Sequence, residues 1–263
     1  ENSYNQFNLT VTVAGPYTAA NNMSYYGAND ASGYDLRPRE LVTEAVNAAD
    51  ATVNFADFDN DGDGSVDGVY VIYAGYGEEA GASADCIWAH AWNISSVVKD
   101  GKTISKYSCS SELIGTSGST ITAIGVICHE FGHVLGAPDY YDTNYSTGGQ
   151  FTGTGDWDLM AGGSWNNNGI TPAHHNVYTK VKVYGWATAT VLSSATNISM
   201  NRAEAYSNSF YQINSTTSGE YWILENRQQV GFDAYLPGHG LMIYHVHKDI
   251  ATYSSSNTIN ASY

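Results

Sequence analysis

His129-Glu130-Phe131-Gly132-His133-Val134-Leu135-Gly136-Ala137-Pro138-Asp139 is the stretch from which the rest of the chain can be read. His129 and His133 stand four apart, so on a helix both imidazoles share one face, about one turn from each other. Zinc accepts neutral imidazole nitrogens, and a catalytic zinc site takes three protein ligands and keeps one position for water. Glu130 directly follows the first histidine, where its carboxylate can act as general base on the zinc-bound water. Gly136 allows a sharp turn at the helix end, and Asp139, ten positions after His129, can then supply a carboxylate oxygen as third ligand. With 8 histidines in 263 residues, only ~0.01 chance matches to H-E-x-x-H are expected.

Working outward, the motif sits on an apolar helix expected over Ile121 to Leu135, with Ser119 or Thr120 as cap and Gly136 and Pro138 ending it. Arg37 to Asp50 reads as a second helix, because Leu41, Val42, Ala45, Val46 and Ala49 form one apolar stripe behind Pro38. Val69 to Tyr73 reads as a buried strand. Ser95 to Gly118 is polar, with a turn at Asp100-Gly101, and residues 143–169 read as Gly- and Asn-rich loops. Pro172 to Tyr184 is expected to be helical, and strands are expected at Phe210 to Ile213, Tyr221 to Glu225 and Leu241 to Val246. There is no internal repeat and no linker composition. The reading is one α+β domain over 1–263, with subdomains of about 1–136 and 137–263.

A second group of acids precedes the first strand: Asp57, Asp59, Asp61, Asp63 and Asp67, broken by Gly62 and Gly64. Alternating carboxylates with glycine at the tight positions resemble a calcium loop. Counted from Asp59, Tyr70 stands where a bidentate Glu would be needed, so the loop is not a complete EF-hand. Five carboxylates so close repel one another without a cation, which points to a structural calcium.

Composition narrows the partners. Lys+Arg 10 against Asp+Glu 26 gives a formal charge of -16, which repels phosphate backbones and argues against a nucleic-acid partner. No apolar run approaches a membrane span, and the polar opening Glu1-Asn2-Ser3-Tyr4 is not a signal peptide. Of three cysteines, Cys128 beside His129 reads as a small buried hydrophobe, and Cys86 and Cys109 could form one disulfide in an exported protein.

Several blocks together resemble the immune-inhibitor-A-like secreted bacterial metalloproteases, in the wider metzincin-like group. They are Asp59 to Asp67 with Val71-Ile72-Tyr73-Ala74-Gly75-Tyr76-Gly77-Glu78-Glu79, Ile87-Trp88-Ala89-His90, His129 to Asp142, Gly155 to Trp165 around Met160, and Glu225-Asn226-Arg227-Gln228 with Pro237-Gly238-His239-Gly240-Leu241. The resemblance implies a zincin-like catalytic domain: a mixed twisted sheet, an active-site helix and a loop-rich C-terminal subdomain across the cleft. It implies an endopeptidase acting on protein or peptide substrates, with zinc on His129, His133 and Asp139, Glu130 catalytic, and Met160 in a turn beneath the metal. It further implies a structural calcium, and export to the bacterial cell surface, periplasm or medium behind a signal and a propeptide that could itself be a partner. Tyr178, or less directly His174 and His175, is a candidate oxyanion donor downstream of Met160. His239, His245 and His247 read as structural. A different zinc hydrolase, such as an aminopeptidase or amidase, and a calcium-stabilised adhesion or glycan-binding module are the competing readings.

Overall fold

The computed structural model describes residues 3–143 and 151–259. Part of the loop expected over 143–169 therefore lies outside the described residues. The chain divides into two compact units, Thr10–Val134 and a second made of Glu1–Leu9 with Leu135–Tyr263.

In the unit Thr10–Val134, a short helix α1 (Met23–Gly27) and a longer α2 (Pro38–Ala49) precede strands β1 (Val69–Tyr76), β2 (His90–Lys99) and β3 (Lys102–Leu113), and α3 (Ile124–Val134) closes it. Pro38 opens α2 at a first-turn position, where its missing N–H costs nothing, and Val42 and Val46 bury one face. The sheet order is β1-β3-β2, with β1 parallel to β3 and β2 antiparallel to it. Asp100 (φ 49) and Gly101 (φ 77) are both left-handed and join β2 to β3, the conformation that two-residue hairpins favour because it follows the strand twist. The turn foreseen there is thus a hairpin, while the long strands around it went unread. Their inward residues include Ser108, Ser110 and Ser111, all buried, so the polar pattern concealed them. Burial of Tyr26, Val42, Phe55, Tyr73, Ile94, Ile104 and Tyr107 forms the core of this unit. The strand expected from Val69 is β1, but it is an edge strand. Only Tyr73 is fully buried along it, and Ile72 is largely exposed.

The second unit carries its own sheet, of strands β4 (Ala189–Leu192), β5 (Phe210–Asn214), β6 (Tyr221–Arg227) and β7 (Gly240–Val246) in that order. β4 pairs parallel to β5, and the remaining pairs are antiparallel. Val177, Phe210, Ile223 and Val246 fill one core, and Ala137, Tyr140, Leu159, Met160 and Ile259 a smaller one. A last helix α4 (Ile250–Ser255) follows β7. The fold is thus α+β; each unit carries its own sheet, and both sheets mix parallel and antiparallel pairs.

Only the second half of the helix expected over Pro172 to Tyr184 forms: buried residues 172–176 run without helical turns, and residues 177–183 are helical, ending in the short π-helix Thr179–Val183. Asn176 Oδ1 accepts the Thr179 N–H at 2.9 Å and so caps a helix that starts only after it, while Asp233 Oδ1 holds the His174 N–H at 2.9 Å in the non-helical stretch before.

Candidate metal centre

Helix α3 begins at Ile124, three residues later than the apolar run suggests. Residues 120–122 are held by the end of β3 instead: Thr122 N–H donates to Glu112 O at 2.9 Å, and Ile121 bridges Leu113. Ser119 and Thr120 therefore precede the helix by several residues and are not its cap. From this anchor α3 packs on β3 and β2 and buries Gly125, Val126, His129, Glu130 and Gly132. His129 and His133 meet edge to face with ring centroids 5.0 Å apart. One ligand atom from each of His129, Glu130 and His133 lies within 4.8 Å of the others. Two imidazoles and a carboxylate at this separation suit a borderline-soft cation such as zinc, so the donor set fits the metal that the motif implies.

The neighbours of this cluster are largely structural. His90 is fully engaged, with Nδ1 at 2.6 Å from Trp88 O and Nε2 at 2.7 Å from the Tyr107 hydroxyl. That leaves Nδ1 as the donor and Nε2 as the acceptor of the phenol proton. Cys109 is buried against the same ring at 3.6 Å, and Cys86 and Cys109 are both free thiols rather than a disulfide. Cys128 is exposed, not buried. Tyr70 on β1 belongs beneath this helix and not to the acidic loop. Burial, reinforced by the Glu130 carboxylate, holds its phenol well above the usual range.

After α3 the chain turns at Gly136 (φ +101), a conformation that side-chain-bearing residues rarely adopt. Asp139 and Met160, the other two motif positions, are brought to one neighbourhood: Tyr140 N–H, next to Asp139, donates to Met160 O at 2.9 Å. Met160 is completely buried, and its N–H donates to Asp158 Oδ1 at 3.1 Å. A Cβ on Gly163 would lie 2.6 Å from Asp158 O and 2.8 Å from Ala173 Cβ, so this turn packs too tightly for any side chain there. Asn176 Nδ2 holds the second oxygen of Asp158, whose carboxyl burial raises to about 6.

Arg227 fastens this turn to the sheet, and its sequence gave no hint of that task beyond the block it sits in. It is fully buried. Its guanidinium grips Asp233 through Nε at 2.7 Å and Nη2 at 2.6 Å, and reaches Glu225 at 3.2 Å and Trp157 O at 3.1 Å. Asn257 was also missed. It hydrogen-bonds Asp139 twice, across 118 positions.

Tyr178 is partly buried, with its ring edge-on to Tyr140 at 6.4 Å. His174 and His175 are buried. Neither His174 ring nitrogen has a hydrogen-bond partner among the described residues, and burial, then Lys180, drives that imidazole down to about 3. His175 packs on Tyr184 and Trp186. His245 and His247 both approach Glu220, at 3.2 and 3.7 Å.

Of the acidic loop, Asp59, Asp61 and Asp63 converge within 4.8 Å. Asp57 and Asp67 turn to other partners, Asn54 Nδ2 and Asn60 Nδ2 respectively. The Asp59 side chain is fully covered; Lys102 Nζ holds its Oδ2 at 2.5 Å, while Oδ1 has no partner among the described residues. Lys102 lowers the Asp59 carboxyl below its ordinary range.

Residues 1–187 match the family described as immune inhibitor A peptidase M6, catalytic domain. The chain is 35% identical over 191 residues to Pre-pro-metalloprotease PrtV of Vibrio cholerae serotype O1 (strain M66-2), covering 62% of this chain and 20% of that protein. It is 32% identical over 209 residues to Immune inhibitor A of Bacillus thuringiensis subsp. alesti, covering 68% of this chain and 30% of that protein. The match thus spans less than a third of the length of these curated relatives.

Proposed function

The chain belongs to the immune inhibitor A family of M6 peptidases, and from that premise we propose that it is a secreted zinc-dependent endopeptidase acting on extracellular proteins. The observation that carries the reading is the convergence of His129, Glu130 and His133 on one face of α3. His129 and His133 are two of the zinc ligands, and the spacing of the motif assigns the third to Asp139. Bound zinc would supply a Lewis acid for the peptide carbonyl and for water. Glu130 takes the proton of the attacking water and returns it to the departing amine. Tyr178 is the candidate donor to the developing oxyanion.

A calcium ion on Asp59, Asp61 and Asp63 belongs to the same proposal. The donors are all oxygen, which suits a hard cation, and the covered Asp59 Oδ1 has no hydrogen-bond partner among the described residues. Export is supported by the pre-pro designation of the Vibrio relative, which also makes a propeptide a fitting partner for this domain. No helix among the described residues is long and apolar enough to cross a membrane.

The decisive experiment is cleavage of casein and of fluorogenic peptides by the purified chain, alongside Glu130→Ala, a chelator control and a metal analysis. Internal cuts that need Glu130, with about one zinc per chain, are the expected result. Stepwise loss of terminal residues would shift the assignment to an exopeptidase, and a chain that binds no zinc would end it.

A further inference from the structure

We propose that Asn257 is a positioning residue that orients Asp139 for metal; this rests on the reading of Asp139 as a ligand. The geometry is two-pronged. Asp139 N–H donates to Asn257 Oδ1 at 2.7 Å, and Asn257 Nδ2 donates to Asp139 Oδ2 at 2.6 Å. One amide therefore fixes both the backbone and the carboxylate of the same residue. A carboxylate has two oxygens, and a donor that engages Oδ2 leaves a defined direction for the other to take up a cation. The hydrogen bonds also remove the rotation about the Cβ–Cγ bond that a ligand would otherwise lose on binding metal.

The amide is itself held in place. Thr143 Oγ1 donates to Asn257 O at 2.8 Å, and Asn257 sits at φ 52, in the left-handed region that asparagine tolerates better than most residues. It follows α4, and Ile259, two positions on, is buried with Ala137, Tyr140 and Met160. The clamp is thus anchored in the same small core that encloses the Met160 turn. Asp139 is 6% exposed, so water competes poorly for its oxygens and the bonds to Asn257 contribute to its orientation.

The test is zinc affinity, read by competition with a chromophoric chelator, in wild type, Asn257→Gly and Asp139→Ala. Glycine accepts the φ of 52 without strain, so Asn257→Gly removes the amide and keeps the backbone. Zinc binding is expected to weaken about 10- to 100-fold, and the melting temperature of the metal-free protein to fall as well, because the buried Asp139 loses two hydrogen bonds. In the Asp139→Ala background the same substitution should have no further effect on affinity, because its target is gone. The cobalt-substituted protein should show an altered d–d spectrum in Asn257→Gly. If that variant does not fold, Asn257→Ser, which loses the donor to Oδ2, is expected to weaken zinc in the same way. Tight zinc in wild type with equal affinity in Asn257→Gly overturns the clamp alone. Asp139→Ala binding zinc as well as wild type overturns the ligand reading first.

Discussion

The main-chain N–H of Tyr140 donates to the carbonyl of Met160 at 2.9 Å, which ties the residue after Asp139 to the centre of a buried turn. Met160 fills the small core beside Tyr140, Leu159 and Ala137, so its side chain sets the spacing of that pair. Met160→Ala should destabilise the protein by about 2–5 kcal/mol in urea unfolding, and Met160→Leu by less than about 1.5 kcal/mol. Equal losses for the two would show that the thioether has a task beyond filling volume.

Arg227 is enclosed with Glu225 and Asp233, all three side chains without exposure. Removing the guanidinium leaves two buried acids without the group that grips both. Arg227→Ala should therefore cost about 3–5 kcal/mol. Arg227→Lys should cost nearly as much, because an ammonium cannot make the two-pronged grip on Asp233. A melting temperature within a degree or two of wild type for Arg227→Lys would count against the fork as the source of the stability.

His174 gives a pH dependence with a definite sign. Its folded value, driven down to about 3 by burial, lies below the ordinary 6.5. Between these values the unfolded chain binds the proton and the folded chain does not, so stability falls as pH drops below 6.5, by about 1.4 kcal/mol per pH unit at most. Asp158 opposes this: raised to about 6, it stabilises the fold at low pH and loses that contribution as pH rises from 3.8 to 6. The clean readout is the difference between wild type and His174→Leu. The variant should lose less stability from pH 6.5 to 4, and parallel curves would refute the buried neutral imidazole.

If calcium occupies the acidic loop, adding it to protein treated with EGTA should raise the melting temperature. Saturation at 100 times the dissociation constant is worth about 2.7 kcal/mol. Asp61→Asn with Asp63→Asn should abolish the response while leaving zinc content unchanged. Identical melts with and without calcium in the wild type would remove this ion from the proposal.

Replacing Tyr178 by Phe separates catalysis from packing, since the ring that meets Tyr140 is kept. A lost oxyanion donor lowers kcat by about 10²–10³-fold with little change in KM. An unchanged kcat returns Tyr178 to a purely structural role.

The parts legible in the sequence were those encoded by local period or spacing. The His129 to His133 interval, the Val42 and Val46 stripe, the Asp100-Gly101 turn and the strands near Phe210, Tyr221 and Leu241 are all of this kind. Long-range polar capture defeated the rest. Asp233 holds the His174 N–H from far along the chain while the helix expected from Pro172 starts only after Asn176, and Glu112 holds Thr122 to the end of β3. Buried serines along β3 hid a strand, and the edge position of β1 left an apolar residue, Ile72, in water. At the candidate centre the motif spacing singled out His129, Glu130 and His133, which α3 gathers together. Nothing local could have joined Asn257 to Asp139 or Arg227 to Trp157 O.

The 118 positions that separate Asp139 from Asn257 also set an order in time. A ribosome adding about 5–20 residues per second delivers the amide roughly 6–24 s after the carboxylate it holds. During that interval the His129 and His133 helix can already exist while the side chain that steadies Asp139 has yet to be made. A nascent chain of this kind would carry Asp139 without its amide clamp, and the clamp would close only once nearly all of this sequence had emerged.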